Sequence, residues 1–175
     1  CKFRAARELW YDLVTSEFEP SDSKSSQLRF HTQTSGVTLT AQQPTNNIIR
    51  VAYQALAAVM GGTQSLHTNS FDEALGLPTE EAVIIALRTQ QIIAEESGVA
   101  RHPDPLGGSY AIEGMTDQLI QDSREVIAEI DSSGGAMECV KLGLQQKMIH
   151  ESAWSQMQRV ESGQDLVVGV NTHSD

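Results

Sequence analysis

Two segments of this chain alternate like β-strands yet carry polar side chains where a buried strand would be apolar. In residues 28–35, Arg29, His31, Gln33 and Ser35 fall on one side, with Leu28, Phe30, Thr32 and Thr34 on the other. Residues 63–69, Thr-Gln-Ser-Leu-His-Thr-Asn, form a second such segment. Helical patterns surround both. Residues 3–14 are periodic, with Phe3, Leu9, Trp10, Leu13 and Val14 mostly on one side. After a turn at Pro44-Thr45-Asn46, residues 47–60 are rich in Ile, Val, Ala and Leu and stop at Gly61-Gly62. Pro78-Thr79-Glu80-Glu81 opens a third helix running to Ser97, with Thr79 as cap and early acids favoured by the helix dipole. The connections are too long for hairpins, so helix, strand, helix, strand, helix predicts an α/β arrangement of parallel strands with helices packed outside.

In such a protein the strands are normally buried on both faces and read as Val, Ile and Leu. Here His31, Gln33 and Ser35, and on the second strand Gln64, Ser65, His67, Thr68 and Asn69, would each cost roughly 1–3 kcal/mol if buried without a partner. Something polar meets them. Pattern alone leaves two answers open: a long polar ligand lying against the strands, or a side-chain network filled with water.

Beyond residue 98 the chain carries a turn-rich stretch, Asp104-Pro-Leu-Gly-Gly-Ser-Tyr110, then helical patterns over about 116–130 and 136–160, divided at Gly134-Gly135. A last apolar run, Leu166-Val-Val-Gly-Val170, is compatible with an edge strand. With 12 basic and 23 acidic residues, the net charge of −11 repels nucleic-acid phosphates and anionic membrane surfaces. No apolar stretch approaches the ~20 residues of a membrane span. Cys1 and Cys139 are too few for a disulfide framework, so a reducing cytoplasm is the expected compartment. The opening at Cys1, already inside a helical pattern, reads as a start within a longer protein.

Several longer motifs carry a resemblance. Arg29-Phe-His-Thr-Gln-Thr-Ser-Gly36, Thr40-Ala-Gln-Gln-Pro-Thr-Asn-Asn47, Gly61-Gly-Thr-Gln-Ser-Leu-His-Thr-Asn69, Asp72-Glu-Ala74, the 104–110 stretch and Val167-Val-Gly-Val-Asn171 occur in that order. Together they resemble the large (alpha) subunit of the methylmalonyl-coenzyme A mutase family over essentially the entire chain. The resemblance implies the C-terminal part of a (β/α)8 TIM barrel followed by a helical extension. Residues 1–98 would be the last β/α units of the acyl-CoA-binding barrel, and 99–175 the extension and linker toward a cobalamin-binding domain. It also implies adenosylcobalamin as cofactor, a radical carbon-skeleton isomerisation, and an acyl-CoA whose pantetheine arm threads a polar lumen.

Position by position, the resemblance makes His31, Gln33, Gln64 and Ser65 substrate-binding residues. Gln33, Asn69 and Glu73 become cofactor-binding, the last two toward ribose hydroxyls, where a carboxylate accepting two hydroxyl bonds is physically apt. The family's catalytic histidine, its carboxylate reader and its cobalt-ligand motif have no counterpart here, so no catalytic residue is assigned. The acyl group is left open among methylmalonyl, isobutyryl, ethylmalonyl and 2-hydroxyisobutyryl, with methylmalonyl the commonest in the family. Expected partners are the rest of the barrel, a cobalamin-binding domain or small subunit, and further subunits, because two of eight strands leave open edges. The fragment alone is expected to be inactive. The rival reading is a non-catalytic, mutase-derived module whose helices over 116–160 bind a subunit or chaperone.

Other features have plainer readings. His31 and His67 lack a third ligand at metal-binding spacing. Thr34-Ser-Gly36 is not a nucleophile elbow, and the glycine pairs lack the dinucleotide-binding order. Cys139 reads as a core filler, His150 as surface or packing, and Trp154 as an interface or core anchor.

Overall fold

The computed structural model describes residues 1–174. The chain is mostly helical with a small parallel sheet, and it divides into two compact units, Cys1–Ile120 and the residues from Gln121 onward. In chain order the first unit contains α1 (Lys2–Phe18), β1 (His31–Gln33), α2 (Asn46–Met60), β2 (Ser65–His67), α3 (Glu80–Glu95) and the start of α4 (Tyr110–Ser132).

Both central helices bury a narrow stripe of small side chains. On α2 the stripe is Asn47, Val51, Ala55 and Ala58; on α3 it is Ala82, Ala86, Thr89 and Ile93. These spacings of three and four place each set on one face. Short side chains let the two helices pack closely, and α2 and α3 lie against each other. The Thr79 hydroxyl accepts the Ala82 N–H at 3.3 Å, and Glu80 and Glu81 occupy the first turn of α3, where the dipole favours acids.

On α1 the buried residues are Ala5 and Leu9, which cluster with Ile120 of α4. Trp10 and Leu13, expected on the apolar side, are exposed instead, because the stripe that meets α4 runs through residues 5 and 9. Trp10 Nε1 donates to the Ser25 carbonyl at 3.0 Å. Two arginines fasten α1 to its surroundings. Arg7 donates to the Gly61 carbonyl at the end of α2, and Arg4 pairs with Asp104 and, through Nη2, with both Glu113 oxygens at 2.7 and 2.8 Å. Glu113 also accepts the Gly108 N–H, and that bond, then Arg4, holds its carboxyl below the usual range. With the 104–110 loop tied down in this way, α4 begins at Tyr110, six residues before the expected start, and carries Gly114 inside it.

The second unit contains the rest of α4, α5 (Ala136–Leu142) and α6 (Leu144–Glu161). The single helix expected over 136–160 is broken at Gly143, whose φ of 75° is left-handed and ends α5. Cys139 is fully buried, and its thiol donates to the Ile130 carbonyl. Nothing on α6 is buried, and Trp154 is 58% exposed. The expected edge strand at 166–170 is instead a turn. Asn171 folds it back, accepting the Val167 N–H at 2.7 Å and donating to the Val160 and Asp165 carbonyls, so the run has no free strand ladder. Among the described residues no helix is long and apolar enough to cross a membrane.

Candidate functional site

β1 and β2 pair in parallel, with His31 opposite Ser65, Thr32 opposite Leu66 and Gln33 opposite His67. The period of two sends Thr32 and Leu66 toward the helices and leaves His31, Gln33, Ser65 and His67 on one exposed face. Around β1 the alternation extends further: Arg29, His31, Gln33 and Ser35 are exposed, Leu28, Phe30 and Thr32 half-buried, and Thr34 buried. The expected polar face is therefore present. It is open in this chain, not enclosed as a lumen, because a two-stranded sheet has no opposite wall.

On that face His31 Nδ1 lies 2.5 Å from Ser65 Oγ, a cross-strand bond that fixes the imidazole. Gln33 Nε2 donates to Asn69 Oδ1 at 3.0 Å. Gln64 behaves differently from its neighbours. Its side-chain oxygen accepts the Phe30 N–H and its amide donates to the Gly62 carbonyl, both at 2.9 Å, so it clamps the start of the sheet. A groove of about 310 Å³ runs beside β1, lined by Phe3, Thr32, Gln33, Ser35, Gln54 and Gly61 among others.

Past the strand ends, alternation stops and polar residues turn inward. Thr68, Asn69 and Ser70 are buried consecutively. Thr68, expected among the lining residues, donates its hydroxyl to the Ala86 carbonyl at 2.7 Å and accepts from Gln90, so it belongs to the α3 packing. Thr34 Oγ1 accepts the Asn69 N–H at 2.9 Å, joining the ends of the two strands. Asp72 accepts both the N–H and hydroxyl of Thr79 at 2.9 Å, and these bonds, the backbone one foremost, depress its carboxyl pKa against the opposing effect of burial.

Asn69 is 1% exposed, and its Nδ2 has no hydrogen-bond partner. Immediately beside it, a Cβ on Gly36 would stand 2.9 Å from Asn69 Nδ2 and 3.3 Å from Glu73 Oε1. Asn69, Glu73 and Gly36 thus converge on one spot, with a buried donor and an exposed carboxylate facing bare backbone. Asn69 and Glu73, which the family resemblance singles out, lie together, held by residues the sequence did not single out. Asn47, wholly buried, accepts from Thr40 N and Arg50 and donates to the carbonyls of Thr40 and Phe71, so it pins the loops after both strands. Gln54 accepts the Ser35 N–H at 2.6 Å and donates to Thr38, fixing the turn that carries Gly36. The available signal was a polar residue, Asn47, standing in an otherwise apolar helical stripe. Among the described residues no group of three or more His, Cys, Asp or Glu side chains gathers as a metal-ligand set.

The family model described as methylmalonyl-CoA mutase matches residues 1–175, the full chain. The chain belongs to the methylmalonyl-CoA mutase family. It is 51% identical over 172 residues to a probable mitochondrial methylmalonyl-CoA mutase of Caenorhabditis elegans, covering 98% of this chain and 23% of that protein. The Escherichia coli methylmalonyl-CoA mutase is 51% identical over 170 residues, 97% of this chain and 24% of its own length. The mitochondrial methylmalonyl-CoA mutase of Homo sapiens is 50% identical over 172 residues, with 98% and 23% covered. The chain spans about a quarter of the length of the curated mutases it matches. A parallel strand pair with helices packed behind it is consistent with a piece of the mutase barrel domain.

Proposed function

We propose that this chain is the closing part of the substrate-binding TIM barrel of an adenosylcobalamin-dependent acyl-CoA mutase, interconverting (R)-methylmalonyl-CoA and succinyl-CoA. The observation that carries the reading is the exposed face of His31, Gln33, Ser65 and His67 on two parallel strands of a mutase-family chain. A face so polar suits an extended thioester carrier, whose pantetheine amides and hydroxyl need donors and acceptors at intervals. His31, oriented by Ser65, keeps its other ring nitrogen for such a group, and Gln33 offers an amide at the rim of the groove beside β1. Gln64 contributes to this face by setting where β1 and β2 begin.

The residues present also fit an adenosyl group. Asn69 Nδ2 is a buried donor without a partner, Glu73 supplies a carboxylate, and Gly36 leaves the space a Cβ would fill. A ribose diol both donates and accepts, and it would meet Glu73 as acceptor and Asn69 as donor. When bound, the cofactor supplies the radical chemistry of the rearrangement. These residues hold and orient ligands, and none of them is assigned a proton transfer. The remaining barrel strands, a cobalamin-binding domain or small subunit, and further subunits complete the enzyme, in a reducing compartment, the cytoplasm first, where the free Cys1 and Cys139 persist.

The test is turnover of methylmalonyl-CoA with adenosylcobalamin. The complete mutase containing this chain is expected to be active and the chain by itself inactive. Turnover by the isolated chain would contradict the reading.

A further inference from the structure

Gly36 opens the short turn after β1, yet its backbone is not in the left-handed region, so conformational freedom does not explain a glycine there. Space does. The nearest atom to a Cβ at this position is Asn69 Nδ2 at 2.9 Å, closer than real Cβ contacts come, followed by Glu73 Oε1 at 3.3 Å. The two neighbours differ in how readily they yield. Glu73 is exposed, and its carboxylate ends a flexible side chain. Asn69 is held on three sides: Gln33 donates to its Oδ1, Thr34 accepts its N–H, and burial leaves it no room. Nor can the Gly36 turn retreat easily, since Gln54 grips Ser35 N and Thr38.

We propose that Gly36 is a positioning residue that sets the spacing between the Asn69 amide and the Glu73 carboxylate, and through them selects a ligand bearing a vicinal diol. The role rests on the adenosyl reading above. A methyl at position 36 pushes Asn69 off its bond with Gln33 or swings Glu73 away, and in either case the pair no longer spans two adjacent hydroxyls.

The experiment uses the complete mutase and two corrinoids, adenosylcobalamin and hydroxocobalamin, which lacks the adenosyl group. Gly36→Ala is expected to weaken adenosylcobalamin roughly tenfold, the worth of one or two hydrogen bonds, and hydroxocobalamin less than about twofold. Thermal melting of the apoenzyme gives a second readout. Gly36→Ala lowers the melting temperature, and the penalty shrinks in an Asn69→Ala background, where the shortened side chain makes room. An equal loss for both corrinoids, no loss for either, or a melting penalty indifferent to Asn69→Ala overturns the proposal. If Gly36→Ala alone does not fold, the Gly36→Ala/Asn69→Ala double variant must fold, and its failure to do so also overturns it. The adenosyl reading fails separately: in that event Asn69→Ala and Glu73→Ala each leave the preference for adenosylcobalamin intact, and the positioning role falls with it. If those two variants lose the preference while Gly36→Ala keeps it, only Gly36 is removed from the account.

Discussion

The polar side chains of the two strands and those just beyond the strand ends come from the same short motifs, yet they meet opposite environments. His31, Gln33, Ser65 and His67 stand on an open face, whereas Thr34, Thr68, Asn69 and Asp72 are buried and almost fully bonded. The first set costs the fold little, because it stays exposed. The second set replaces part of an apolar core, because most of its donors and acceptors find a partner in the next element: Thr34 at Asn69, Thr68 at Ala86, Asp72 at Thr79. Among the described residues of this set, only Asn69 Nδ2 and Asp72 Oδ1 stay unpaired. Polar composition in a strand motif therefore has two causes, and only position relative to the strand end separates them.

Three substitutions of falling severity probe the buried set. Asn47→Ala removes four hydrogen bonds and strands the Thr40 and Phe71 carbonyls, so urea unfolding is expected to show a loss of about 3 kcal/mol. A loss under about 1 kcal/mol would break the distinction at its strongest point. Thr68→Val keeps the shape but leaves Gln90 and the Ala86 carbonyl short of a partner, for about 1–2 kcal/mol by the same measurement. Thr79→Ala removes the cap of α3 and one ligand of Asp72, and about 1 kcal/mol is expected.

Asp72 adds a pH signature. Its folded pKa is depressed, so its contribution is present above the ordinary carboxylate range and is lost as pH falls through the lowered value. Asp72→Asn is expected to melt below the native protein at neutral pH, with the gap closing in acid; a gap that widens in acid would reverse the assignment. The smallest stability effect belongs to the open face. His31→Ala should change unfolding free energy by no more than about 0.5 kcal/mol, as at an ordinary surface site.

How much of this the chain revealed beforehand depends on how local each cause is. The existence of α2 and α3 and the alternation around β1 were legible because composition, caps and the strand period are local. The buried stripes of α2 and α3, and the true buried side of α1, are instead set by which neighbour each helix meets. Nor was the fate of Thr68 and Asn69 legible, since three consecutive buried residues obey no strand period and their partners lie about 18 and 35 residues away. Gly114 and Gly143 make the same point. One sits inside a helix and the other ends one, and φ, not residue type, tells them apart. The candidate residues Asn69 and Glu73 came from family resemblance, while the closeness of Gly36 to both and the bonding of Asn47 to the loops after both strands emerged only from packing.

Acyl-CoA affinity of the complete mutase carrying His31→Ala together with Ser65→Ala is the most direct check that the open face exists to hold a ligand. The account predicts a KM for methylmalonyl-CoA raised by more than about tenfold with an unchanged melting temperature. An unaltered KM would mean that these side chains line nothing, and the proposed role of the strand pair would fall.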